Sequence, residues 1–163
     1  MTTDTPNKHF RSAKVLNLLI NVIIAILLVF LVSVVAVLAL SQFDPESVEI
    51  IQSQVEGSHN TFLISAMIIL ASYLFVAFLV RAIVKTTVNG NPFVSENISR
   101  LRTIWMVIIG AEIFRIIFLS LTRKDGFGVE TWYQTWFLAF FIAIMAEVFR
   151  IGLELKRDQE LTV

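Results

Sequence analysis

Residues 15–40 read VLNLLINVIIAILLVFLVSVVAVLAL, without one charged side chain. As a helix this run is about 39 Å long, more than the ~30 Å of a hydrocarbon core, so it spans with tilt or emerges. Three further apolar runs follow at about 62–84, 104–121 and 132–153. Each reaches the ~17–25 residues that a crossing needs. With 56% hydrophobic residues overall, the 163-residue chain reads as one all-α membrane domain over residues 1–163, a four-helix transmembrane bundle. A cleaved signal peptide is the competing reading of residues 1–40, with Lys8, Arg11 and Lys14 as its basic flank. Signal cores are only ~7–15 residues long, so the first run is expected to stay as a span.

Basic residues set the expected orientation. Lys8, Arg11 and Lys14 precede the first span, and Arg81, Lys85, Arg100 and Arg102 lie between the second and third. Arg150, Lys156 and Arg157 end the fourth, whereas the opposite loops carry only Arg123 and Lys124. Both termini are therefore expected in the cytoplasm, with residues 41–61 and 122–131 outside. Trp132, Tyr133 and Trp136 suit the outer interface, and Trp105 the inner one.

The loops carry local signals. In the first external loop Asp44 is a good N-cap, Pro45 fits the first helical position, and Glu46 and Glu49 suit the positive end of a helix dipole. Val48, Ile51 and Val55 share one face, and Gly57 is a stop, which predicts a short external amphipathic helix. Its four acids, Asp44, Glu46, Glu49 and Glu56, could instead form a cation-collecting vestibule. Between spans two and three, Asn89-Gly90-Asn91-Pro92-Phe93 is a dense turn signal, and Ser95 is expected to cap a helix running into span three. Arg100 and Arg102 on that helix, with Lys156 and Arg157 at the chain's end, are candidate contacts for anionic lipid or a protein partner.

Polar residues within the spans are the candidate site. Ala111-Glu112-Ile113-Phe114-Arg115-Ile116 nearly repeats as Ala146-Glu147-Val148-Phe149-Arg150-Ile151. Each copy places a glutamate and an arginine on one helix face. Counted from the apolar edges, Asn21, Tyr73, Arg81, Glu112, Arg115, Glu147 and Arg150 fall in one slab of the inner half. They continue i, i+4, i+8 series: Asn17, Asn21, Ala25; Tyr73, Ala77, Arg81; Ala139, Ala143, Glu147. Small residues permit close helix approach, and polar groups in lipid need partners across it. The expectation is a compensated layer, with Glu147 approaching Arg115 and Arg150 approaching Glu112. Such a layer can merely fix helix register, hold a polar ligand, proton or headgroup, or line a transport path. No glycine- or proline-broken pair of helices supports the transport reading.

Several chemistries lack their residues. The chain has no cysteine, and its two histidines lie in polar segments. No zinc-protease, phosphate-loop or dinucleotide motif occurs. No cofactor, no metal, no enzymatic activity and no direct nucleic-acid binding are expected. The expected role is a regulatory or sensing component that binds a ligand, lipid or protein at its cytoplasmic half. The alternative is a small transporter or accessory subunit moving a polar solute or proton. Membrane lipids are expected neighbours, and homo-oligomerisation is open.

Gly90-Asn91-Pro92-Phe93-Val94-Ser95-Glu96-Asn97 with Arg100-Leu101-Arg102, and the ending from Glu147 to Leu161-Thr162-Val163, resemble a family of small bacterial four-span membrane proteins of unknown function, DUF2975. The resemblance runs over almost the whole chain. It implies a multi-pass protein of the bacterial cytoplasmic membrane, and a chain that is full length at Val163. Members are often encoded beside a small helix-turn-helix regulator, which implies a cytoplasmic transcriptional regulator as partner. It implies no catalytic residues.

Overall fold

A computed structural model describes residues 6–43, 59–122 and 132–161. Among them the chain forms four helices and no strand: α1 (Pro6–Phe43), α2 (His59–Val88), α3 (Ser95–Thr122) and α4 (Trp132–Leu161). Long apolar runs require this, because in lipid a helix satisfies its backbone groups internally. All four are long and apolar enough to cross a bilayer, over Val15–Leu40, Leu63–Val88, Ser95–Leu121 and Tyr133–Leu161. The expected external helix after Asp44 lies outside the described residues.

The helices outrun the apolar segments that announced them. α3 begins at Ser95, well before Ile104, and α4 continues through the charged stretch Glu154–Glu160. At ~1.5 Å per residue, the 30 residues of α4 reach about 45 Å, so roughly a third projects beyond a 30 Å hydrocarbon core.

Packing follows chain order: α1 on α2, α2 on α3, α3 on α4. The core lies where the last three meet. Ile104, Ile108 and Ala139 are buried, surrounded by Val76, Leu79, Val80 and Ile83 of α2, Trp105 and Ile109 of α3, and Ile142 of α4. Ala139 is fully buried and Ala146 nearly so. Both are small, which lets α3 and α4 approach closely. Their spacing of seven marks the seam of α4, since seven residues return a helix to within ~20° of the same direction. α1 buries Ile20 and Ile24, and most of its large apolar side chains face outward.

That seam corrects the expected stripes. A spacing of four advances ~40° per step, so an i, i+4, i+8 series leaves the core within two steps. Ala139 is buried, Ala143 half-buried and Glu147 exposed. Tyr73 and Arg81 are exposed at the two ends of their series, and Asn17, Asn21 and Ala25 are all exposed.

The α2–α3 connection is tight. Asn91 N–H donates to Thr86 O at 3.2 Å and Gly90 N–H to Thr87 O at 3.0 Å, a Schellman closure of α2. Gly90 takes φ +83°, a left-handed conformation that a side chain disfavours. Val94, rather than Ser95, sits at the cap of α3: its carbonyl accepts from Ile98 N–H, and the Ser95 hydroxyl donates to Glu96. Below this turn Asn97 makes the structural contact instead.

Candidate functional site

The turn ends in a clasp that joins α2 to α3. Asn97 is fully buried. Its Nδ2 donates to Pro92 O at 2.9 Å, and its Oδ1 accepts from the Thr86 hydroxyl and from Arg100 Nη1, each at 2.8 Å. Arg100 Nη1 also reaches Ala82 O at 3.5 Å. Arg100 is thus half-buried and turned back on the turn rather than out toward a headgroup, because the buried carboxamide offers it an acceptor. Arg102 on the next face is exposed, as a lipid contact requires. Asn97 and Thr86 escaped sequence reasoning. The only signal was Asn97 itself, five residues past a turn proline.

Phe93 leaves this turn and crosses to α4. Its ring lies 5.4 Å from that of Phe149, inclined at 58°. It also covers Gly152, where a Cβ would stand 2.6 Å from the ring. Glycine at 152 is therefore what admits Phe93 to the α4 surface. Next to this contact a recess of about 230 Å³ opens between the start of α3 and the end of α4. Phe93, Val94 and Leu153 give it an apolar lining, and Ser95, Glu96, Lys156, Arg157 and Glu160 a polar one. Lys156 Nζ lies 3.5 Å from Asn91 Oδ1 and 4.0 Å from Glu160, tying the end of α4 to the turn.

The two Glu/Arg copies are not one layer. Arg115 Nε donates to Glu112 Oε2 at 3.1 Å, and its Nη2 closes on Oε1. Arg150 also closes on the glutamate of its own copy, but its Nε and Nη2 both donate to one oxygen, Glu147 Oε1, while its Nη1 reaches Glu154 at 3.4 Å. Each pair closes within its own helix, so the expected crossed pairing is replaced by two local ones. Depth explains this. Glu112 lines a small cavity with Thr135 of α4, and Glu147 lies twelve residues further along α4, about 18 Å away. Counting depth from Ile104 placed Glu112 too close to Glu147, because α3 starts nine residues earlier.

The environments differ too. Glu112 is 7% exposed, and the Arg115 side chain is 17% exposed. Glu147 and Arg150 are about half exposed. The cavity beside Glu112 is about 20 Å³, room for one water, and is lined by Ile69, Ser72, Tyr73, Ile108, Ala111, Glu112 and Thr135. With both carboxylate oxygens on Arg115, this pair is electrically closed. Of the residues expected in the slab, Tyr73, Glu112 and Arg115 share this region. Asn21, Arg81, Glu147 and Arg150 lie exposed elsewhere.

No curated protein and no solved structure matches the chain. A family model described as "Protein of unknown function (DUF2975)" matches residues 54–163, which takes in α2, α3 and α4 with the turn, the clasp and the recess, and leaves α1 outside. The chain, a multi-pass membrane protein by its four apolar helices, belongs to the DUF2975 family.

Proposed function

We propose that this protein is a non-enzymatic regulatory or sensing component of a bacterial cytoplasmic membrane, and that it engages a cytoplasmic protein partner at the recess between the α2–α3 turn and the end of α4. The recess is the observation that carries this reading. Its apolar lining of Phe93, Val94 and Leu153 beside Glu96, Lys156, Arg157 and Glu160 has the composition of a small protein–protein contact. At about 230 Å³ it is smaller than the ~300–1,000 Å³ of typical small-molecule sites, and suits one inserted side chain of a partner. The mixture of two bases with two acids favours a polypeptide over a bare phosphate. The excess of basic residues at this end supports its cytoplasmic placement. The resemblance to proteins encoded beside helix-turn-helix regulators supports a transcriptional regulator as the partner.

The test is affinity capture of the intact protein in mild detergent, with bound proteins and lipids both identified. A protein held by the wild type and lost with Lys156→Glu/Arg157→Glu, while Glu112→Gln/Arg115→Gln retains it, is the expected result. Capture indifferent to the recess substitutions would overturn the assignment.

A further inference from the structure

Polar side chains within the spans mostly close on their own helix. The hydroxyls of Ser33, Ser72, Thr103 and Ser120 donate to carbonyls one turn earlier, at 2.7–3.0 Å. Glu112 and Arg115 neutralise each other. Asn21 does not follow this pattern. Its carboxamide is exposed, six residues or about 9 Å inside the Val15 end of α1, and meets no hydrogen-bond partner among the described residues. A hydroxyl has one donor, which a carbonyl of its own helix can take up, but a carboxamide has two N–H donors and an acceptor, so one such bond would leave the rest unpaired, and lipid tails offer neither donor nor acceptor.

We infer that α1 pairs with α1 of a second copy of this chain, with Asn21 at the contact. Two general arguments and one observation select this occupant. First, a carboxamide is self-complementary: its N–H₂ can donate to the C=O of an identical group while accepting in return. Second, a two-fold axis along the membrane normal brings each α1 residue to its own counterpart and keeps both copies in the same orientation. Third, among the described residues α1 has its main packing on α2 and leaves most of its large apolar side chains exposed, with Ala25 one turn from Asn21 allowing close approach. Asn17, also exposed and one turn nearer the end, extends the polar line.

The cysteine-free chain allows a clean test. Single cysteines at Ala25 or Leu28 lie on the Asn21 side of α1, and one at Phe30 points about 180° from Asn21. All three positions are exposed, so none disturbs the fold. Full-length purified protein in phospholipid vesicles would be oxidised with copper phenanthroline at several protein-to-lipid ratios. Ala25→Cys or Leu28→Cys should give a disulfide-linked dimer and Phe30→Cys should not. Adding Asn21→Leu should weaken association about tenfold, the ~1.4 kcal/mol expected of interhelical polar bonding in a bilayer. Circular dichroism of Asn21→Leu should match the wild type. Cross-linking equal at Phe30, unaffected by Asn21→Leu, or absent at every position would overturn the inference.

Discussion

Replacing Asn97 with alanine should be among the most damaging single changes at the turn end of the molecule. The side chain is fully buried and makes three hydrogen bonds. The bond from Arg100 is charge-assisted, worth about 1.5–3 kcal/mol, and the bonds with Thr86 and Pro92 about 0.5–1.5 each. The gross loss is therefore about 2.5–6 kcal/mol. Two partners have somewhere to go: Thr86 also donates to Ile83 O at 2.8 Å, and Arg100 lies 3.5 Å from Ala82 O. Only the Pro92 carbonyl loses its described partner outright, so the expected cost sits near the lower end, about 3 kcal/mol. Equilibrium unfolding in mixed micelles with rising dodecyl sulfate, followed by circular dichroism, measures it. Ser99→Ala, an exposed change one half-turn away, is the control and should stay within about 0.5 kcal/mol. A loss below about 1 kcal/mol for Asn97→Ala would refute the clasp as a source of stability.

Other outcomes follow from the same contacts. Glu112→Gln strands a largely buried arginine and should cost about 3–5 kcal/mol, with Arg115→Gln restoring part of it in the double variant; the same unfolding assay reads both. Glu147→Gln should perturb stability far less, and its effect should add to that of Arg115→Gln without coupling, because the two groups lie far apart and each has its own partner. Gly152→Ala puts a methyl into the Phe93 ring and should cost about 1–3 kcal/mol, while also weakening any partner captured at the recess. Gly90→Ala meets no neighbour, so its cost should be the left-handed backbone alone, about 1–2 kcal/mol.

The sequence disclosed its spans because lipid demands long uninterrupted apolar runs. It disclosed the Asn89–Phe93 turn because Gly90 tolerates the left-handed backbone that ends α2 and Pro92 fixes its own φ. It was less informative at helix ends. Hydropathy reports contact with hydrocarbon, so the first turns of α3 and the projecting end of α4 were helical without being apolar. Facing was misread for a related reason. Asn21, Arg81 and Glu147 belong to series spaced by four, which precess around the helix, whereas the α4 seam follows Ala139 and Ala146. The Glu/Arg repeat was legible as two pairs on helix faces. Its partners were not, since an arginine three residues away can close on its glutamate before another helix comes within reach. Asn97 was invisible for a different reason: nothing in its neighbours in sequence says that Thr86 and Arg100 converge on it.

Everything assigned to the recess requires the α2–α3 turn to face the cytoplasm, and side-specific labelling of single cysteines tests this most directly. Asn89→Cys, exposed at the turn, and Gln52→Cys, between α1 and α2, would each be introduced into the cysteine-free chain and treated with a membrane-impermeant thiol reagent on intact cells. The account predicts labelling of Gln52→Cys in intact cells, and labelling of Asn89→Cys only after the membrane is opened. Labelling of Asn89→Cys in intact cells would place the turn and the recess outside and contradict the proposed cytoplasmic partner.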